Sequence, residues 1–157
     1  MIKRIIGQDI QHVPAPNQDW LNLAVLVQVE VTSEDAAHPI ESSLLPGNDA
    51  GWRAAQSGPQ TVRLLFDQPQ RIRRIQLKFH EDEFERTQQF VLRWSSNGGA
   101  SYLEIVRQQY NFSPPGTTSE CEDYHLDLVG LTALELNIIP DISGGAARAS
   151  LAQLNLA

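Results

Sequence analysis

The chain has 157 residues, 41% of them hydrophobic and 20% charged, with a formal net charge of -7 and a sequence pI near 5.0. That length fits one domain around one core, and the composition is that of a globular chain rather than a disordered or fibrous one. An acidic chain with no lysine-rich run is a poor partner for nucleic acid, and no apolar run is long enough to span a bilayer.

In chain order, residues 1–20 read as an N-terminal strand and loop extension. They carry positive charge at Lys3 and Arg4 and turn residues at Pro14, Pro16 and Asn17, but no apolar stretch of a signal peptide. Val25 to Thr32 alternates Val27, Val29 and Val31 against Gln28, Glu30 and Thr32, which is the period of a strand. Ser33, Glu34 and Asp35 stop it. Pro39 to Leu45 predicts one or two helical turns, ended by Pro46 and Gly47. Gly47, Asn48, Asp49 and Gly51 then make a tight loop before Trp52.

Two strands follow, Thr61 to Phe66 and Ile75 to Phe79, each with apolar residues on one face, and Asp67, Gln68 and Pro69 supply turn chemistry between them. Arg71, Arg73 and Arg74 read as the solvated side of a strand, because Ile72 and Ile75 interrupt them. Glu81, Asp82, Glu83 and Glu85 belong to a solvated loop. Phe90 to Trp94 and Tyr102 to Arg107 predict a hairpin about the turn Ser96, Asn97, Gly98 and Gly99. A long connection, residues 108–119, leads to a strand with Tyr124, Leu126 and Leu128 on one face, then to Leu134, Leu136 and Ile138. Ser143 to Ala147 is a loop, and Ala152, Leu154 and Leu156 form a terminal strand. About eight strands with almost no amphipathic helix predict a two-sheet antiparallel sandwich.

Most catalytic and metal chemistries find no anchor. The histidines at 12, 38, 80 and 125 have no zinc spacing, and Phe84 stands where the second histidine of HExxH would be. The carboxylates of residues 81–85 lack the apolar surroundings that raise a catalytic pKa. Cys121 lies between Glu120 and Glu122, which disfavour a thiolate, and reads as a structural strand residue. As the single cysteine it permits no intrachain disulfide, so a reducing, cytoplasmic setting is expected. Ser95 and Ser96 lack a GxSxG context, and neither glycine pair makes a phosphate loop.

Three stretches, SEDAAHPIESSLLPGNDAGW, TVRLLFDQPQRIRRIQLKF and FVLRWSSNGGASYLEIV, together with the closing ASLAQLNLA, resemble the galactose-binding-like jelly roll. That fold is shared by discoidin (coagulation factor 5/8 type C) domains and many carbohydrate-binding modules. The resemblance implies an all-β jelly-roll sandwich and a non-enzymatic module that binds a carbohydrate or similar polyol through loops at one end. The paired terminal cysteines of the extracellular discoidin type are missing, and Pro46 and Gly47 replace the Asp-Gly of the loop that sometimes holds calcium. No cofactor is expected, with Asn48 and Asp49 the oxygen ligands for calcium if one is bound. A protein-interaction or assembly domain is the alternative, and an allantoicase-like hydrolase a remote one; oligomeric state is left open.

Loop aromatics flanked by polar residues are the raw material of a sugar site. Trp52 and Arg53 qualify, as do Gln109, Tyr110, Asn111 and Phe112 in the long connection. Trp52 is either a stacking ring or a core plug, and Phe112 either a contact or a pin for its own loop. Arg86 either reaches the same rim or neutralises the acidic cluster before it.

Overall fold

The computed structural model describes residues 20–47 and 50–157. The N-terminal extension expected over residues 1–20 therefore lies outside the described residues apart from Trp20. Among the described residues two short helices, α1 (Leu23–Leu26) and α2 (Glu41–Leu44), accompany eight strands. The strands are β1 (Val27–Val31), β2 (Trp52–Ser57), β3 (Gln60–His80), β4 (Arg86–Ser95), β5 (Leu103–Phe112), β6 (Ser119–Ile139), β7 (Arg148–Leu151) and β8 (Gln153–Leu156). The architecture is an all-β, antiparallel jelly-roll sandwich that does not close into a barrel.

β3 and β6 form the spine, pairing antiparallel along almost their whole length. The first half of β3 lies between β1 and β6, and the last half of β6 lies between β3 and β4, with β5 beyond β4. The second half of β3 takes β8 on its free edge instead. The two halves fold face to face: Phe79 on the second half of β3 meets Phe90 on β4, ring centroids 5.2 Å apart, although these strands share no ladder. Val62, Leu64, Ile75, Leu77, Leu92, Leu134, Leu136, Leu154 and Leu156 fill the space between, each essentially inaccessible to solvent. Their alternation with polar residues is the period that marked the strands in the sequence.

Asp67, Gln68 and Pro69 do not reverse the chain. β3 runs on through them, and the register shifts there, with Leu65 opposite Ala133 but Gln70 opposite Leu131. Extra residues on one strand of a pair bend it and increase its twist, and Pro69, which has no N–H to give a ladder, is tolerated where pairing is interrupted. Residues that favour a turn thus serve here as a bend that carries one strand from the first layer into the second.

Across the outer face a row of charges pins the register. Glu30, Arg63, Glu135 and Arg93 stand side by side on β1, β3, β6 and β4, and each neighbouring pair is ion-paired. Burial opposes ionisation of Glu135, but Asn137, Arg63 and Arg93 outweigh it and hold its carboxyl below the usual range. A slip by one residue would break every pair and turn the apolar set outward.

β2 and β7 form a separate two-stranded sheet. It is fastened by Ser43 of α2, whose hydroxyl accepts from the Trp52 N–H at 2.7 Å and donates to the Leu151 carbonyl. Gly51 makes that closeness possible. Its φ is +70°, and a Cβ there would lie 2.8 Å from the Leu151 carbonyl oxygen. Gly51→Ala should therefore lower stability by about 1–3 kcal/mol through a strained backbone and a backbone clash, read as a lower denaturant midpoint with an unchanged slope.

Candidate functional site

The loops joining β3 to β4 and β6 to β7 meet at one end of the sandwich beside the β2–β7 pair. Between them lies a cleft of about 420 Å³ lined by Arg53, Glu81, Phe84, Glu85, Asp141 and Arg148, with residues 144–147 as one wall. A smaller hollow of about 270 Å³ adjoins it, lined by His38, Trp52, Arg53, His80 and Ser150, so that Arg53 stands between the two.

Alternation on β2 and β7 determines what faces the cleft. Trp52 and Ala54 on β2, with Ala149 and Leu151 on β7, are buried, which turns Arg53 and Arg148 outward. Arg53 is opposite Ser150, two residues along β7 from Arg148. Phe84 is held differently. The Glu81 carboxylate accepts from the backbone N–H groups of Glu83 and Phe84 at 3.1 and 3.3 Å, forming a tight loop that leaves the Phe84 ring 63% exposed. Among the described residues it is the one aromatic in the set of exposed large apolar side chains, and it lines the cleft. In the opposite wall, Asp141 accepts from both the N–H and the hydroxyl of Ser143, which with burial of little consequence keeps its carboxyl low.

A buried polar chain lies behind the cleft. Arg86 donates from Nε to Glu81 at 2.7 Å, and from Nη1 to the Pro140 carbonyl at 2.9 Å and Gln88 Oε1 at 3.2 Å. It thereby ties both loops of the cleft to the strand below, and its guanidinium lies 4.7 Å from the centre of the Phe112 ring. Burial works against ionisation of Glu81, yet Arg86 and the two loop N–H groups prevail and lower its pKa. Gln88 in turn donates to Glu120 at 3.3 Å. Burial, and then the nearby Glu122 carboxylate, push the Glu120 carboxyl up to about 8.

The residues singled out from sequence are distributed unevenly about this site. Arg53 lines the cleft. Trp52 is 1% exposed, with its Nε1 donating to the Ser33 carbonyl at 3.1 Å, so the core-plug alternative describes its surroundings. Arg86 neutralises Glu81 from below rather than reaching the rim, and Glu81 itself is buried, not solvated. The expectation of a loop over Gln109, Tyr110, Asn111 and Phe112 is corrected, because β5 runs to Phe112 and only residues 113–118 are left to connect. Gln109 and Asn111 bond across to Gln89 and Thr87 on β4, Tyr110 donates to the Ser119 carbonyl, and Phe112 is fully buried; none of them lines the cleft. Gln, Tyr and Asn at consecutive positions obscure strand periodicity when the strand is an edge. Asn48 and Asp49, the calcium candidates, lie outside the described residues. Among the described residues no group of three or more His, Cys, Asp or Glu side chains is placed to hold a metal, and no helix is long and apolar enough to cross a membrane.

Phe84, Glu85, Asp141 and Arg148 were not singled out as site residues. For Phe84 a signal existed, a lone aromatic inside an acidic loop. For Arg148 there was none, since only the β2–β7 register brings it to Arg53.

No family model matches the sequence, and no curated relative does. Among solved structures the chain is similar to a pectin binding carbohydrate-binding module, at 18% identity and TM-score 0.61 over 83% of this chain and 89% of that one. It is similar to the family 32 module from C. perfringens NanJ, in complex with galactose, at 15% identity and TM-score 0.58, covering 83% and 92% of the two chains. An F5/8 type C domain from Bacteroides fragilis matches at 10% identity and TM-score 0.60, covering 87% and 93%. The fold is the galactose-binding-like jelly roll expected from the sequence.

Two outcomes follow for the buried chain. Arg86→Ala leaves Glu81 buried and unpaired and should cost about 3–5 kcal/mol, while Arg86→Met with Glu81→Leu should cost clearly less in the same urea titration. For Glu120 the folded carboxyl binds a proton more tightly than the unfolded one, so its contribution to stability is full below about 4.5 and is lost as pH rises towards 8. The stability of Glu120→Gln relative to the parent should therefore increase steadily between pH 5 and 8, measured by denaturation at each pH.

Proposed function

We propose that this chain is a non-catalytic carbohydrate-binding module that takes its sugar into the cleft between Phe84, Arg53 and Arg148. The observation that carries this reading is the exposed Phe84 ring in the lining of a cleft of sugar size that also carries Arg53, Arg148, Glu85 and Asp141. A pyranose presents an apolar face of C–H groups and a rim of hydroxyls. The ring covers the first, and guanidinium and carboxylate groups bond the second. The pectin and galactose ligands named for the structural neighbours support a sugar as the partner of this chain.

The carboxylates at hand fit binding better than catalysis. A general acid needs a raised pKa near its substrate. Glu81 and Asp141 are held ionised by Arg86 and Ser143 respectively, and the one carboxyl raised among the described residues, Glu120, is buried and does not line the cleft. A ligand held by hydroxyl bonds and one stacked ring, with no group poised to transfer a proton, is bound and released unchanged.

Phe84→Ala supplies the test. The side chain is exposed, so the variant should fold with parental stability and circular dichroism, yet bind sugar about tenfold or more weakly, the loss expected for one stacked aromatic. Isothermal titration against a panel of neutral and acidic oligosaccharides reads the effect. Absence of binding across the panel, or binding unaltered in Phe84→Ala, would overturn the assignment of this cleft.

A further inference from the structure

We propose that the sugar is acidic, a hexuronate whose carboxylate is clasped by Arg53 and Arg148; this rests on the carbohydrate reading of the cleft and narrows it to one chemical class. The charge pairing of the arginines leads there. Arg63, Arg71, Arg74, Arg86, Arg93 and Arg107 each have a carboxylate oxygen within 3 Å. Among the described residues Arg53, Arg73 and Arg148 have none within ion-pairing distance. In a chain of net charge -7, two of these three uncommitted guanidinium groups open into the same cleft.

Their placement suits one shared ligand. Arg53 and Arg148 are on the same outward face of neighbouring antiparallel strands, Arg53 opposite Ser150 and Arg148 opposite Ser57 with a register shift between, and both line the cleft. From that base, two long side chains converge on a single anion. Asp35 feels both charges, but its carboxylate already accepts from the Ala37 N–H at 3.0 Å and faces His38 at 3.7 Å. Of the anions of the cleft, Glu81 is ion-paired to Arg86 and bonded by two loop N–H groups. Asp141 accepts from Ser143 through one oxygen, a neutral donor that leaves its charge in place, and Glu85 has no bonded partner among the described residues. The unpaired charges of the cleft are thus two positive, together on β2 and β7, and two negative, on the two loops.

A hexuronate matches that set. Its carboxylate offers two oxygens to guanidinium forks, the geometry in which arginine surpasses lysine. Its ring lies against Phe84, and its hydroxyls give Glu85 a donor. A cationic amino sugar would meet two free guanidinium groups and is disfavoured; a neutral sugar leaves both guanidinium groups without a bonded anion.

The experiment compares charged and uncharged forms of one backbone. Oligosaccharides of galacturonate, glucuronate and mannuronate, and their carboxyl methyl esters, are titrated calorimetrically against the parent, Arg53→Gln, Arg148→Gln and Phe84→Ala, beside neutral galacto-oligosaccharides. At least one free acid should bind about tenfold or more tightly than its ester, the ratio expected for a charge-assisted hydrogen bond. That ratio should shrink in either arginine variant and at high salt, whereas Phe84→Ala should weaken acid and ester alike. Acid and ester binding equally, or neutral sugars binding best, would overturn the acidic preference; loss of that binding in Phe84→Ala would then still uphold the sugar site. Failure of every sugar to bind would sink both. Parental far-ultraviolet dichroism of the two arginine variants excludes misfolding as the cause of a loss.

Discussion

The ladder between β3 and β6 is the constraint on which the other elements depend. Each strand spans 21 residues, and between them they supply an edge for β1, β4 and β8. A hydrogen-bonded pair of that length would be a flat ribbon with two exposed faces. The register shift after Leu65 bends it, and the two halves can then cover one another with Phe79 against Phe90. Burial of the apolar faces on the inside of that bend is the main favourable term. The charge row from Glu30 to Arg93 adds specificity, since its two arginines satisfy the buried Glu135 carboxylate only in this register and a slip would leave it unpaired.

The end of the sandwich that carries the cleft is stiffened in a different way. Its loops contribute few apolar contacts, and a buried arginine takes their place. Arg86 reaches Glu81 in one loop and the Pro140 carbonyl at the edge of the other, so the position of Phe84 is set by a side chain rooted in β4. Burying a guanidinium and a carboxylate costs desolvation that their attraction repays only with good geometry and further hydrogen bonds. Here both requirements are met at Glu81, whose two oxygens are all used. Glu120 is the less comfortable neighbour. One of its oxygens has no partner, which is consistent with a carboxyl that holds its proton.

Rigid walls and uncommitted polar groups suit the binding role proposed for this cleft. The β2–β7 pair carries Arg53 and Arg148 on a short sheet fastened by Ser43 and Gly51, and the opposing loop is fixed by Arg86. Little ordering would then be left for a ligand of the proposed site to impose, and preorganisation of that kind lowers the cost of binding.

The strand alternation of Val27 to Val31, Thr61 to Phe66, Ile75 to Phe79 and Phe90 to Trp94 was legible from sequence because a sheet with one buried face writes a period of two directly into the chain. So were the turn of α2 and the hairpin about Asn97. Local chemistry could not tell a bend from a reversal at Pro69, since both need a residue that gives up its ladder bond. It could not tell that Trp52 and Phe112 face inward, nor that Glu81 and Arg86, read as surface charges, are buried together, because burial depends on what lies across the sandwich. The cleft belonged entirely to tertiary structure. Arg53 and Arg148 are 95 residues apart, and only the pairing of β2 with β7 and the packing of two loops beside them bring those charges together with the Phe84 ring.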